Sequence, residues 1–307
     1  MYNERKPILP KLSPMAMLIF STLIVVVVGF IFQVLGVLLA TLFYDVSLSE
    51  IMQIDGTEDR QVISALKLLQ IIGALGTFVF SSLLLSRLYT GTWLGYFRLG
   101  RGPGGKSVFL LMLVMVAALP FVNFLTDINL RLELPFDGPE DYFRRMEEQT
   151  ERLMMTLIRA DHVWALLVNL FMIAIIPAVG EELVFRGLIQ RHLTDLFRNG
   201  HVAIIVASMI FSLVHFQIYS FLPRFFLGII LGYAFYYGRT LWYPILAHLL
   251  NNTLGVLFYY FYMKELTGDS LEEIGTMEMM PATAFLSLLV VAGLMYLWVK
   301  MVRKMPA

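Results

Sequence analysis

The chain has 307 residues, 58% of them hydrophobic and 15% charged, and its mean hydropathy is +0.74. An ordinary soluble domain is excluded, because so few charges cannot cover a water-facing surface. The formal net charge is zero, which speaks against nucleic-acid binding, and the absence of cysteine excludes disulfides, thiolate metal sites and a cysteine nucleophile.

From the N-terminus, Arg5, Lys6 and Lys11 precede an apolar run from Pro14 to Phe43. The run is much longer than the apolar part of a signal peptide and lacks a small-x-small cleavage site, so it reads as a retained first span. Further runs of roughly spanning length follow at 62–86, 107–126, 162–184, 201–217, 222–238, 241–262 and 281–299. The expected fold class is therefore all-α, a polytopic membrane protein with about eight transmembrane helices. The fifth and sixth runs are short and joined by Gln217 to Pro223. The glycines at 100, 102, 104 and 105 follow no strand and open no nucleotide-binding helix, so they mark a flexible loop. Between Pro139 and Arg159, Phe143, Met146, Leu153, Met154 and Leu157 recur at helical spacing. That segment reads either as a helix lying along the membrane interface or as a solvated loop helix.

Basic residues alternate with acidic stretches from loop to loop. Arg5, Lys6 and Lys11; Arg87, Arg98, Arg101 and Lys106; Arg191 and Arg198; Arg239; and Lys300, Arg303 and Lys304 form one set. Asp45 to Asp59, Asp127 to Glu151 and Glu265 to Glu278 form the other. The positive-inside rule then puts both termini on the cytoplasmic side of an even number of crossings. The organisation read from this is an N-terminal three-helix membrane region with its outer-face loop helix (1–160), a core carrying the unusual polar residues (161–262), and an outer loop with the last helix (263–307).

An ionised side chain at mid-membrane costs ~2.5–3.5 kcal/mol on insertion scales, so each one needs a reason. Gly180-Glu181-Glu182-Leu183-Val184-Phe185-Arg186-Gly187 ends an apolar helix. Helical spacing puts Glu182 and Arg186 one turn apart on one face and turns Glu181 about 100° away, toward a cavity. The plain alternative is that all three are interfacial residues where the helix leaves the membrane. His215 follows Phe211 by one turn, and its plain alternative is a hydrogen-bonded packing residue. His248 and Asn252 share a face of the seventh run, with polar glue between helices as the competing explanation. Together they form a chemically sufficient set for peptide hydrolysis: Glu181 with His215 to hold and deprotonate a water, His248 and Asn252 to donate to the oxyanion.

The ordered motifs Glu181-Glu182-x-x-x-Arg186, Phe211-x-x-x-His215 and His248-x-x-x-Asn252, over about 160–262, resemble the CAAX protease and bacteriocin-processing (Abi) family, whose relatives include the type II CAAX prenyl endopeptidases. The resemblance implies an intramembrane endopeptidase in a bacterial cytoplasmic membrane, with Glu181 activating water, His215 assisting, and His248 and Asn252 forming the oxyanion site. Expected partners are membrane lipids and a peptide or membrane-protein substrate, in protein maturation or bacteriocin self-immunity. No metal or cofactor is expected, since no His-Glu-x-x-His is present; zinc, if used, would take Glu181, His215 and His248. The competing classes are a proton-coupled transporter, marked by an internal repeat that is not found here, and a non-catalytic membrane scaffold.

Overall fold

The computed structural model describes residues 8–10, 12–52, 59–100, 102–133, 137–160, 162–262, 274, 276–277 and 281–305. Arg5, Lys6, Lys11 and Arg101, the carboxylates Asp55 and Glu58, and those from Glu265 to Glu278 lie outside the described residues. Within them all regular structure is helical.

Helix α1 runs over Pro14–Tyr44, opened by the Ser13 hydroxyl, which accepts the Ala16 amide at 3.3 Å, with Pro14 in its first turn. The short α2 (Leu48–Met52) leads to α3, Arg60–Thr90, capped by Asp59 on the Gln61 amide at 2.7 Å and ended by Gly91 in the left-handed region at φ 78°. After α4 (Trp93–Tyr96) come α5 (Gly105–Leu130) and α6 (Asp137–Ile158). Next are α7 (Val163–Phe197) and α8 (Gly200–Leu213). The last are α9 (Ile218–Gly238), α10 (Trp242–Tyr262) and α11 (Pro281–Val302).

Among the described residues six helices are long and apolar enough to cross a membrane: α1, α3, α5, α7, α9 and α11. The remaining two expected spans are also helical. Helix α8 has only 14 residues, about 21 Å at 1.5 Å per residue, against a hydrocarbon core of ~30 Å. Helix α10 has the length, at 21 residues, but carries His248, Asn251 and Asn252 in its middle. The architecture is that of a polytopic membrane protein.

The chain divides into two compact units, Met1–Arg101 with Glu151–Ala203, and Gly102–Thr150 with Ile204–Ala307. In the first, α1 packs along α3, and α7 packs against the middle of α3. Ala40, Ile51, Val62, Leu66 and Met172 are among its core residues. Asn169, fully buried, accepts from Lys67 Nζ at 2.8 Å and donates to the Ile158 carbonyl at 2.5 Å. Both its polar atoms are thereby satisfied inside an apolar bundle, as burial requires.

In the second unit α5 is central, and α9, α10 and α11 pack on it through Leu111, Met115, Ile230, Leu231 and Trp298. Trp298 Nε1 donates to the Ser107 carbonyl at 2.9 Å, and the Ser107 hydroxyl shares a 2.7 Å hydrogen bond with Tyr243. These buried bonds join α5, α10 and α11 at one level.

Three stretches inside the long helices are π-helical: Leu75–Phe80 in α3, and Leu170–Ile175 and Phe185–Gln190 in α7. Such widened turns concentrate at functional sites. The two in α7 flank the Glu-Glu pair.

Candidate active site

The carboxylates stand on a regular α-helical stretch, Ile176–Val184, held between the π turns of α7. Pro177 lies at its first turn. Proline removes a backbone donor and its ring clashes with the carbonyl four residues earlier; the widened turn just before it takes up that conflict without a break in α7. The adjacent Gly180 lies against Phe78, so close that an added Cβ would sit 2.6 Å from the Phe78 Cβ. The site helix can therefore approach the π turn of α3 only because residue 180 has no side chain.

Glu182 and Arg186 form the pair that their spacing suggests. Arg186 donates to Glu182 Oε1 at 2.7 Å, with the two side chains 2% and 0% exposed. Removing one partner of such a pair leaves an uncompensated buried charge, at a cost of about 3–5 kcal/mol. Glu181 is only half-buried and lies within electrostatic reach of Arg186.

In the second unit, α8 ends at Leu213 and His215 stands in the turn beyond it, rather than within the helix as its apolar run suggests. The turn closes through Phe216, a bulky residue at φ 55°, where side chains other than glycine are rarely found. His215 Nδ1 is 2.8 Å from the Phe211 carbonyl. A carbonyl can only accept, so Nδ1 carries the hydrogen, and in the neutral ring Nε2 is the acceptor.

Phe211, buried, is the point at which the two imidazoles meet. Its ring lies 5.3 Å from that of His215 at 74° and 6.2 Å from that of His248 at 88°. Both contacts are edge-to-face, an arrangement aromatic rings favour. His248 is buried on α10, and Asn252 follows it by one turn, with its Oδ1 accepting from Asn251 Nδ2 at 3.2 Å. The structure thus brings together Glu182 with Arg186 in one unit, and His215 with Phe211 and His248 in the other.

A set of residues not singled out in the sequence holds the His215 turn. Glu147 on α6 accepts from the Ser220 hydroxyl at 2.6 Å and from Gln217 Nε2 at 3.2 Å. Gln217 Oε1 in turn accepts from Arg224 at 2.5 Å. Asn129, fully buried on α5, donates to the Ile218 carbonyl at 2.8 Å and accepts the Leu222 amide at 2.6 Å. Arg144 lies 4.5 Å above the Tyr219 ring while donating to Glu140 at 2.7 Å; that hydrogen bond raises its pKa above the ordinary guanidinium value. Helix α6 therefore applies its polar residues to the protein's own turn, a role outside both readings of the 139–159 segment. The sequence carried no local signal for it, since Glu147 and Ser220 are 73 residues apart.

The family model described as Type II CAAX prenyl endopeptidase Rce1-like matches residues 163–254, a stretch containing all seven of the side chains singled out above. The membrane-embedded CAAX protease MroQ of Staphylococcus aureus (strain USA300) is 33% identical over 95 residues, which cover 29% of this chain and 38% of that protein. The chain thus matches well under two thirds of that relative's length. No solved structure matches.

Proposed function

We propose, from the match of residues 163–254 to the Rce1-like CAAX endopeptidase model and the similarity to a CAAX protease, that the protein is an intramembrane endopeptidase that hydrolyses a peptide bond with a glutamate-activated water. What supports this reading most is the difference between two neighbouring carboxylates: Glu182 is buried in an ion pair with Arg186, while Glu181, one residue earlier, is half-buried and outside that 2.7 Å pair. On this reading Glu182 is the structural charge and Glu181 the chemical one.

In this mechanism Glu181 takes a proton from water, and the water oxygen attacks the scissile carbonyl carbon. His215 Nε2 accepts the water's other hydrogen bond, the role left to it when Nδ1 donates to Phe211. The carbonyl oxygen becomes an oxyanion, and His248 together with the Asn252 amide donates to it. As the tetrahedral intermediate collapses, the carbon–nitrogen bond breaks and the amine nitrogen receives the proton held by Glu181. The products are one new carboxyl end and one new amino end. The arrangement of basic loops supports a cytoplasmic-membrane location with both termini and the mouth of the site on the cytoplasmic side. The substrate class is a peptide or membrane protein, cleaved in maturation or in bacteriocin self-immunity.

The test is cleavage of a quenched peptide library by the purified protein and its Glu181→Ala variant in detergent, each with and without a zinc chelator. Cleavage lost in the folded variant and indifferent to chelation is expected. Equal cleavage by both proteins would overturn the reading and favour a transporter or scaffold.

A further inference from the structure

The C-terminal half of α11 and the facing side of α9 enclose an open groove of about 690 Å³, within the range of roughly 300–1,000 Å³ typical of small-molecule sites. It lies wholly in the second unit and none of the side chains assigned to the protease chemistry lines it. Its composition changes along its length. Ala292, Met295 and Val299, spaced three and four apart on one face of α11, supply an apolar floor. The same face ends in Lys300, Arg303 and Lys304, all exposed.

Across from them stand Tyr233 and Tyr237 of α9, stacked at 5.9 Å and 11°, and Arg303 lies 4.7 Å above the Tyr237 ring. Among the described residues none of the three cations is in an ion pair with a carboxylate. A helix C-terminus favours cations in its last turn, which accounts for bases at this end of α11. It does not account for three like charges gathered on one side, over a tyrosine-walled groove with an apolar floor. From Ala292 to Val299 the apolar floor is about 10 Å long at 1.5 Å per residue. An apolar trough of that length, opening onto three cations outside any ion pair among the described residues, matches a molecule with hydrocarbon at one end and a negative charge at the other.

We propose that this groove is a binding site for one anionic phospholipid, its phosphate between Lys300, Arg303 and Lys304 and the first part of an acyl chain along Met295 and Ala292. Basic pockets between spanning helices at a membrane surface bind acidic headgroups in this manner. The tyrosines fit the boundary between headgroup and hydrocarbon, where amphipathic rings settle. The site does not depend on the protease reading, and its occupant would stabilise the packing of α11 on α9 by mass action, since the groove exists only in the folded protein.

The experiment is native mass spectrometry of the purified full chain in a nonionic detergent, titrated with phosphatidylglycerol, with phosphatidylcholine and with inorganic phosphate. One retained phosphatidylglycerol per chain is expected, at least tenfold above phosphatidylcholine, with no retention of inorganic phosphate. The triple variant Lys300→Gln, Arg303→Gln, Lys304→Gln is expected to lose that preference, whereas Arg198→Gln with Arg239→Gln, which removes two exposed cations elsewhere, keeps it. Ala292→Trp, which fills the apolar end and leaves every charge in place, is expected to weaken retention as well; it decides the matter if the triple variant does not fold. Equal phosphatidylglycerol retention by the wild type and the groove variants would overturn the proposal, as would an equal loss in the control, which indicates diffuse surface attraction. Retention of inorganic phosphate alone would show an anion site without lipid.

Discussion

Glu182 in the first unit and His215 in the second are both polar side chains set among apolar helices, yet they are held by opposite means. Glu182 lies inside a helix and is held in a strong, fully buried ion pair with Arg186. His215 stands outside any helix, in a turn fixed by many modest bonds: its own to Phe211, and those of Glu147, Gln217, Ser220 and Asn129 to the residues that follow it. A single buried charge pair concentrates its cost of loss in one contact, whereas a network of neutral and charge-assisted hydrogen bonds spreads it over several, at about 0.5–1.5 kcal/mol for a typical bond. The ion pair suits a rigid support; the distributed turn suits the role proposed for His215, whose Nδ1 is held on the Phe211 carbonyl.

The largest effect that could break this contrast is on turnover. Replacing the proposed base, Glu181→Gln, should lower peptide cleavage by about 10²–10⁴-fold while circular dichroism shows an unchanged melting curve. Next is Arg186→Ala, which should destabilise the fold by about 3–5 kcal/mol, read as a lowered denaturation midpoint in detergent; an unchanged midpoint would mean the pair is not the support described. Asn252→Ala should lower the turnover number by about 10²–10³-fold if the proposed oxyanion donor is lost with it, with little change in KM. The smallest effect sharpens the other side of the contrast. Ser220→Ala removes one bond from the His215 turn and should cost only about 0.5–1.5 kcal/mol, with a several-fold loss of turnover that Ser220→Thr restores.

Much of this was legible from residue spacing. Glu182 and Arg186 are four apart on a helix, and a four-residue step is a contact; the same rule put His248 and Asn252 on one face of α10. The long apolar runs announced α1, α3, α5, α7 and α11 because length and hydropathy are properties of a segment by itself. The His215 turn was not legible in this way. Its closure at Phe216 needs a left-handed backbone at a residue that gives no local signal for one, and its support comes from Glu147 and Asn129, far away in sequence. The π turns around the Glu-Glu pair were equally hidden, since a widened turn answers packing against neighbouring helices. Gly180 shows the point: as a letter it is a neutral glycine, and only the position of Phe78 gives it a reason.

The most direct measurement compares Glu181→Gln with Glu182→Gln in one preparation, recording peptide cleavage and thermal unfolding side by side. Separate roles predict that Glu181→Gln loses cleavage and melts like the wild type, while Glu182→Gln, which removes the carboxylate charge paired with the buried Arg186, melts markedly lower. Full cleavage in folded Glu181→Gln, or identical melting and cleavage in the two variants, would contradict the division of labour on which the proposed chemistry rests.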